Sequence, residues 1–167
     1  MIFLWTTSNR VGSKLIRWGR GDDCSHFSVC WDQLVEDLPR EHWLITESRI
    51  RSGVKADWLS VVEKTSAIQH QIKFDISPSD ERSLYGKFIK EMGGKQYDSD
   101  GVVFFALSSL AEKLGFPKAS KNPWASRRNV FCTETIEVFR DYLNGLGAEL
   151  PERTGLLEPH DLYELLK

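Results

Sequence analysis

The sequence predicts an α+β fold, in which a small antiparallel sheet is packed by helices. Segments with strand character are concentrated in the first 75 residues, whereas apolar residues at helical spacing dominate the rest. This order of elements favours helices packed against an antiparallel sheet. No repeat, low-complexity segment or linker divides the chain, so we expect residues 1–167 to form a single domain.

The first half of the chain contains one helical segment and several strand segments. Residues 11–19 predict a short helix that ends at Gly19. His70 lies among alternating apolar residues of the last strand segment, which predicts a core position. The strand segments are 25–31, 43–48, 53–56 and 67–75.

The second half has helical patterning. Residues 77–81 combine serine, proline and acidic residues in a strong helix start, and the apolar stripe that follows ends before Gly93. The more hydrophobic segment 101–114 predicts a well-buried helix, and residues 115–128 predict a loop. Further helices are predicted from Cys132 and from residue 158.

Composition narrows the class of protein. The net charge is −2, so electrostatics gives no reason to expect a nucleic-acid partner. No apolar run approaches the roughly 20 residues that span a bilayer. Residues 1–5 are too short for a signal peptide and include no basic residue, so we expect a cytoplasmic or phage-associated protein. The three cysteines are widely spread, which indicates reduced thiols rather than a disulfide framework.

Cys132 lies where an apolar segment meets an amphipathic helix, and Ile136, Phe139 and Leu143 share its helix face. A helix N-terminus offers partial positive charge and free N–H groups, an environment that favours a thiolate. A nucleophilic cysteine also needs a base within hydrogen-bond distance and a group that orients that base. Without such partners, Cys132 would be a buried thiol on the packing face of its helix.

His26 and Glu47 are the candidates for base and orienting group. His26 lies in the first strand segment and Glu47 near the end of the next. If the two strands pair antiparallel with Trp31 opposite His42, His26 falls directly opposite Glu47 on the same face. Opposed residues have Cβ atoms about 5 Å apart, which suits an imidazole–carboxylate hydrogen bond. The helix of Cys132, placed against this face, would complete a thiolate–imidazole–carboxylate relay.

Other candidate residues have ordinary explanations as well. His70 is the reserve candidate for the base. Tyr97 follows a Gly-Gly turn and is either the wall of a substrate pocket or ordinary packing. Cys24, His26 and Cys30 invite a zinc interpretation, but alternate strand positions hold these side chains apart and no C-x-x-C pair completes the ligands. We therefore expect neither a metal site nor a cofactor.

In their order along the chain, these residues resemble the circularly permuted branch of the NlpC-type papain-like superfamily, the YiiX/YaeF-like group related to lecithin:retinol acyltransferases. A histidine strand, an acidic strand and then a cysteine at a helix start reverse the order in papain, where the cysteine precedes the histidine. The segments that carry the resemblance are 12–18, 24–29, 45–48, 53–54, 94–98, 131–134 and 158–162.

The resemblance implies that Cys132 is the nucleophile, His26 the base and Glu47 the orienting residue of a permuted papain-like domain. It implies a thiol hydrolase, either a peptidase or amidase or an acyltransferase, that works through an acyl-enzyme. The substrate would be a peptide, such as a peptidoglycan stem, or an acyl-lipid. The alternative is a non-catalytic binding or structural module that retains the fold.

Overall fold

The computed structural model describes residues 1–20, 22–35, 37–50, 52–117, 129–148, 150 and 158–167. Within these ranges, antiparallel strands form a five-stranded sheet with helices packed on it, which confirms the α+β class. The strands of the sheet are β1 (Ile2–Thr7), β2 (His26–Trp31), β3 (Leu44–Arg49), β4 (Gly53–Trp58) and β5 (Ala67–Lys73). The α-helices are α1 (Val11–Arg20), α2 (Leu59–Thr65), α3 (Pro78–Met92), α4 (Ser99–Lys113), α5 (Arg140–Gly145) and α6 (Pro159–Leu166).

The sheet has the strand order β4-β3-β2-β1-β5, and each neighbouring pair is antiparallel. The four predicted strand segments correspond to β2, β3, β4 and β5. β1 and α2 are absent from the predicted elements, although β1 lies between β2 and β5 and is almost wholly buried. Short 3₁₀ helices occupy Arg40–His42 and Cys132–Phe139, and the second leads directly into α5.

Two apolar clusters cover the two faces of the sheet. On one face, aromatic side chains of β1 and β2 pack against α3 and the 3₁₀ helix; Phe139 lies 5.3 Å from the Phe3 ring and 5.7 Å from the Trp31 ring. On the other face, Ile45 and neighbouring aliphatic side chains pack against Leu59 and Val62 of α2. The alternation of β2 therefore places Phe27, Val29 and Trp31 on the larger, aromatic cluster.

α4 contradicts the prediction of a well-buried helix. Val103 and Leu107 are more than half exposed, at 53% and 54%. α4 packs against α1, while the faces of the sheet are covered by other helices, so one side of α4 is left uncovered. Among the helices in the described ranges, none has both the length and the apolarity needed to cross a bilayer. Of the predicted loop at 115–128, residues 118–128 lie outside the described residues.

A short parallel pair holds the segment that leads into the 3₁₀ helix. β6 (Gln96–Tyr97) pairs with β7 (Asn129–Val130), so that Tyr97 lies opposite Val130. Val54 of β4 donates its N–H to the carbonyl of Lys95, and the Ser48 hydroxyl donates to the carbonyl of Val130. These bonds fasten the pair to the sheet immediately before Cys132.

Candidate active site

The candidate site lies at one end of the sheet rather than on a face. His26 is the first residue of β2, and Glu47 and Arg49 lie in the last half of β3. Because β2 and β3 are antiparallel, the start of one strand meets the end of the other. This end of the sheet also holds the last residues of β1, with Thr6 opposite His26.

The observed strand register differs from the assumed one. Trp31 lies opposite Leu44 instead of His42, and Glu47 lies opposite Ser28. The shift is two residues, so His26 and Glu47 are diagonal neighbours that still share a face, since side chains alternate with a period of two. Long side chains bridge such diagonal positions. The assumed register is wrong, whereas the predicted contact between His26 and Glu47 is present.

A chain of charged contacts runs from His26 into β3. His26 Nε2 lies 2.9 Å from Glu47 Oε2, and Glu47 Oε1 lies 2.5 Å from Arg49 Nε. The Glu47 side chain is fully buried, so Arg49 and His26 are the groups that compensate its charge. Sequence reasoning missed Arg49, although its position two residues after Glu47 places it on the same strand face.

Cys132 hydrogen-bonds the side chain of His26. His26 therefore contacts both the Cys132 side chain and, through Nε2, the Glu47 carboxylate. The predicted packing of the Cys132 helix is wrong in one respect. Its apolar side chains lie on the aromatic face of the sheet, opposite the face of His26, and the thiol reaches the imidazole at the strand end.

The predicted apolar face of this helix is confirmed, because Cys132, Ile136, Phe139 and Leu143 are all fully buried. The helical type differs, since residues 132–139 form a 3₁₀ helix before the chain continues as α5. Its first turn is held by side chains. The Glu134 carboxylate accepts the Phe131 N–H at 2.6 Å, and the Thr135 hydroxyl donates to the carbonyl of Cys132 at 2.6 Å.

The interaction between His26 and Glu47 shifts the pKa values of both side chains. Burial alone would lower the pKa of His26, but its hydrogen bonds to Cys132 and Glu47 outweigh burial and raise this pKa to about 9. Burial would likewise raise the pKa of Glu47, yet the hydrogen bond and charge of His26, together with Arg49, hold it below its ordinary value. The carboxylate is therefore ionised at neutral pH and supports the charged form of the imidazole.

Tyr97 is brought to the site by the β6–β7 pair. It is nearly buried, its ring lies 6.0 Å from that of Phe131, and it is close enough to Cys132 to interact with its charge. Burial, followed by the charges of Cys132 and Asp98, raises the pKa of Tyr97 well above its ordinary value, so the hydroxyl keeps its proton. Tyr97 and His26 both line a cleft of about 100 Å³.

The cleft has a polar, cationic lining. Hydroxyl side chains contribute from the end of β1 and from the residues just before β2 and β5, and two arginines are present. The polar lining residues are Thr6, Thr7, Ser8, Arg10, Ser25, His26, Arg49, Ser66 and Tyr97. Cys132 is absent from the lining and has no exposed surface, but it interacts with two residues that line the cleft, His26 and Tyr97.

The remaining cysteines and the reserve histidine differ from this arrangement. Burial raises the pKa of both Cys24 and Cys30 to about 12, with nearby acidic groups adding to the effect. His70 is half-buried instead of lying in the core, because β5 is an edge strand, and its Nε2 lies 2.7 Å from the Asp23 carboxylate. His70, the reserve candidate for the base, is therefore paired with Asp23 and not with Glu47.

Comparisons of the chain with protein-family models, curated proteins and solved structures find no match.

Proposed function

We propose that the protein is a cysteine hydrolase with a permuted papain-like fold, in which Cys132 forms an acyl-enzyme. The observation that carries the proposal is the connected set of side chains from the Cys132 thiol through His26 to Glu47. A nucleophile, a base and a buried carboxylate that orients the base constitute the minimum equipment for nucleophilic acyl transfer. Arg49 extends the set by fixing the second oxygen of Glu47.

The reaction would proceed through a thioester. Because the pKa of His26 is about 9, the imidazole holds the proton given up by the thiol before the Cys132 sulfur attacks the carbonyl carbon of the substrate. The oxygen then carries the negative charge, which the backbone N–H of Cys132 and the protonated Tyr97 hydroxyl would stabilise. When the bond to the leaving group breaks, His26 returns the proton to that group. His26 next deprotonates a water, which attacks the thioester and releases the acid and the thiol.

The cleft favours a peptide over an acyl-lipid as the substrate. Its lining is dominated by hydroxyls, and Arg10 and Arg49 supply positive charge beside the imidazole. A volume of about 100 Å³ is well below the roughly 300 Å³ of a complete ligand pocket. The cleft thus accommodates one polar segment of a larger substrate, and a peptide carboxylate complements its arginines. A peptidase or amidase acting on an acidic peptide fits these features best.

Alkylation followed by intact-mass spectrometry tests the nucleophile. With iodoacetamide at neutral pH, we expect one adduct on Cys132, formed faster than adducts on Cys24 and Cys30, whose pKa values are raised to about 12. His26→Ala should slow the Cys132 adduct by about 10²-fold, because the base is lost. Cys132→Ala should eliminate this adduct, while Cys30→Ser serves as a matched control that retains it. Equal rates at the three cysteines would refute the activated nucleophile.

A binding module is the second candidate, and the complete burial of Cys132 favours it. If the cleft only binds a ligand, the thiol has no need to contact the substrate. Replacing Tyr97, which lines the cleft and interacts with Cys132, distinguishes the two candidates. A Tyr97→Ala variant that reacts with iodoacetamide while the unaltered protein does not would support a closed binding module, whereas reaction in the unaltered protein supports the hydrolase.

A further inference from the structure

A second cluster of histidine, cysteine and carboxylate side chains lies outside the site described above. Asp23 and Cys24 precede β2, and His160 lies in the first turn of α6. One ligand atom from each of these residues lies within 4.8 Å of the others. Nitrogen, sulfur and oxygen donors in one cluster are the ligand types that bind zinc.

Two ligand atoms of the cluster lie close to each other without a hydrogen bond between them. His160 Nδ1 lies 3.8 Å from Asp23 Oδ1, beyond hydrogen-bond distance, and this nitrogen is buried without a hydrogen-bond partner among the described residues. A nitrogen and an oxygen ligand at about 2.0–2.2 Å from a tetrahedral zinc ion are roughly 3.3–3.5 Å apart. At 3.8 Å these two atoms are slightly farther apart than that, so the two side chains would approach by a few tenths of an ångström on binding.

Outer partners of the cluster are also in place. Asp23 Oδ2 lies 2.7 Å from His70 Nε2, which leaves Oδ1 directed toward His160. His160 Nε2 lies 3.9 Å from Glu164 Oε1, one helical turn further along α6. Metal-binding histidines commonly have a carboxylate near their second ring nitrogen, and ligating carboxylates are themselves hydrogen-bonded. His70 is in turn held by stacking on Tyr163, with ring centroids 4.1 Å apart.

We infer that Asp23, Cys24 and His160 bind one divalent transition-metal ion of the zinc class, with His70 and Glu164 as outer partners. Cys24 binds as a thiolate and releases its proton to solvent, and water completes the coordination because Asp23 is half exposed. The ligands come from the approach to β2 and from α6, so the ion fastens the last helix to the sheet. This inference does not depend on the proposed hydrolase activity.

Direct metal binding by the full chain is the decisive measurement. The protein is dialysed against excess Zn²⁺, freed of loose metal and assayed for bound zinc, and its metal-free form is titrated with Co²⁺. We expect one equivalent of zinc and a thiolate-to-cobalt absorption band with the intense visible bands of a tetrahedral site. Because the ion binds only the folded chain, Zn²⁺ should also raise the melting temperature.

Matched variants assign the ligands. His160→Gln removes a half-exposed ligand with little risk to the fold, and Cys24→Ser removes the thiolate; each should weaken Zn²⁺ binding by at least about 10²-fold, more than the loss of an outer partner. His42→Gln and Cys30→Ser are the controls and should bind as the unaltered chain does. Cys132→Ser should also retain one equivalent, since Cys132 belongs to the other cluster.

Three outcomes would overturn the inference. One is zinc binding by the unaltered chain no tighter than by His160→Gln. Another is loss of the metal in Cys132→Ser, which would assign it to the proposed active site. The third is a cobalt complex without the thiolate band.

Discussion

His26 with Glu47 and His70 with Asp23 form two histidine–carboxylate pairs, each beside a buried cysteine, and their surroundings give them different chemistry. The pair His26–Glu47 is enclosed: the carboxylate is fully buried and Arg49 fixes its second oxygen. The pair His70–Asp23 is open, with the carboxylate half exposed and its second oxygen directed toward another histidine. An enclosed pair stabilises a charged imidazole, whereas an open pair with a spare oxygen presents ligands to a cation.

The largest effect that separates the two pairs is expected from Glu47→Gln. The amide keeps the shape of the side chain but removes the negative charge that supports the imidazolium. Acylation of Cys132 by p-nitrophenyl acetate, followed by intact mass, should therefore slow by about 10²–10⁴-fold. Glu63→Gln, at an exposed ion pair with Arg40, is the matched control and should leave the rate unchanged. An unaltered rate in Glu47→Gln would mean that Glu47 only fills space.

The next largest effect is expected at Gly53, where β4 contacts the segment before β6 and so helps to hold Cys132 near His26. Gly53 has a φ of +64°, and a Cβ there would lie 2.4 Å from the carbonyl oxygen of Lys95, next to β6. Gly53→Ala should push β6 from the sheet and cost about 2 kcal/mol of unfolding free energy, measured by urea denaturation. Gly86→Ala is the contrast: Gly86 lies inside α3 with open space around it, so alanine should stabilise by about 0.5–1 kcal/mol. Equal stability of the two variants would contradict this account of the β4–β6 contact.

The smallest effect is expected from a substitution in the open pair, at His70. His70→Phe retains an aromatic ring to stack on Tyr163 but loses the hydrogen bond to Asp23. Zinc affinity should fall by about tenfold, as is usual when an outer partner is removed. His42→Phe, at a histidine that packs on Trp58 away from both clusters, should bind zinc normally. A loss as large as that in His160→Gln would instead make His70 a direct ligand.

The enclosed pair could be predicted from the sequence because strand alternation is insensitive to a two-residue error in register. His26 and Glu47 remain on one face whether Trp31 pairs with His42 or Leu44. The predicted docking face of the Cys132 helix was less robust. The thiol of this helix contacts the end of a strand, whereas its apolar side chains pack on the aromatic face of the sheet. The apolar periodicity of a helix does not predict which strand end the first residue of the helix will contact.

The open pair could not be predicted in the same way. His70 alternates with apolar residues in β5, which is typical of a core position, but β5 is an edge strand and its side chains stay half exposed. Its partners come from the approach to β2 and from α6, elements whose meeting depends on tertiary packing alone. A local signal existed only for His160 and Glu164, which are four residues apart in a helix.

The order of the residues along the chain has a consequence for synthesis. β1 to β5, with His26 and Glu47 between them, all precede the segment of Cys132, so the sheet with its acid–base pair emerges from the ribosome first. The thiol joins its imidazole only when β7 has paired with β6 and the 3₁₀ helix has docked on the aromatic face. Every nascent chain therefore carries the His26–Glu47 pair before Cys132 has been synthesised, and we expect the contact between the thiol and the imidazole to form only after residues 129–139 have emerged and docked.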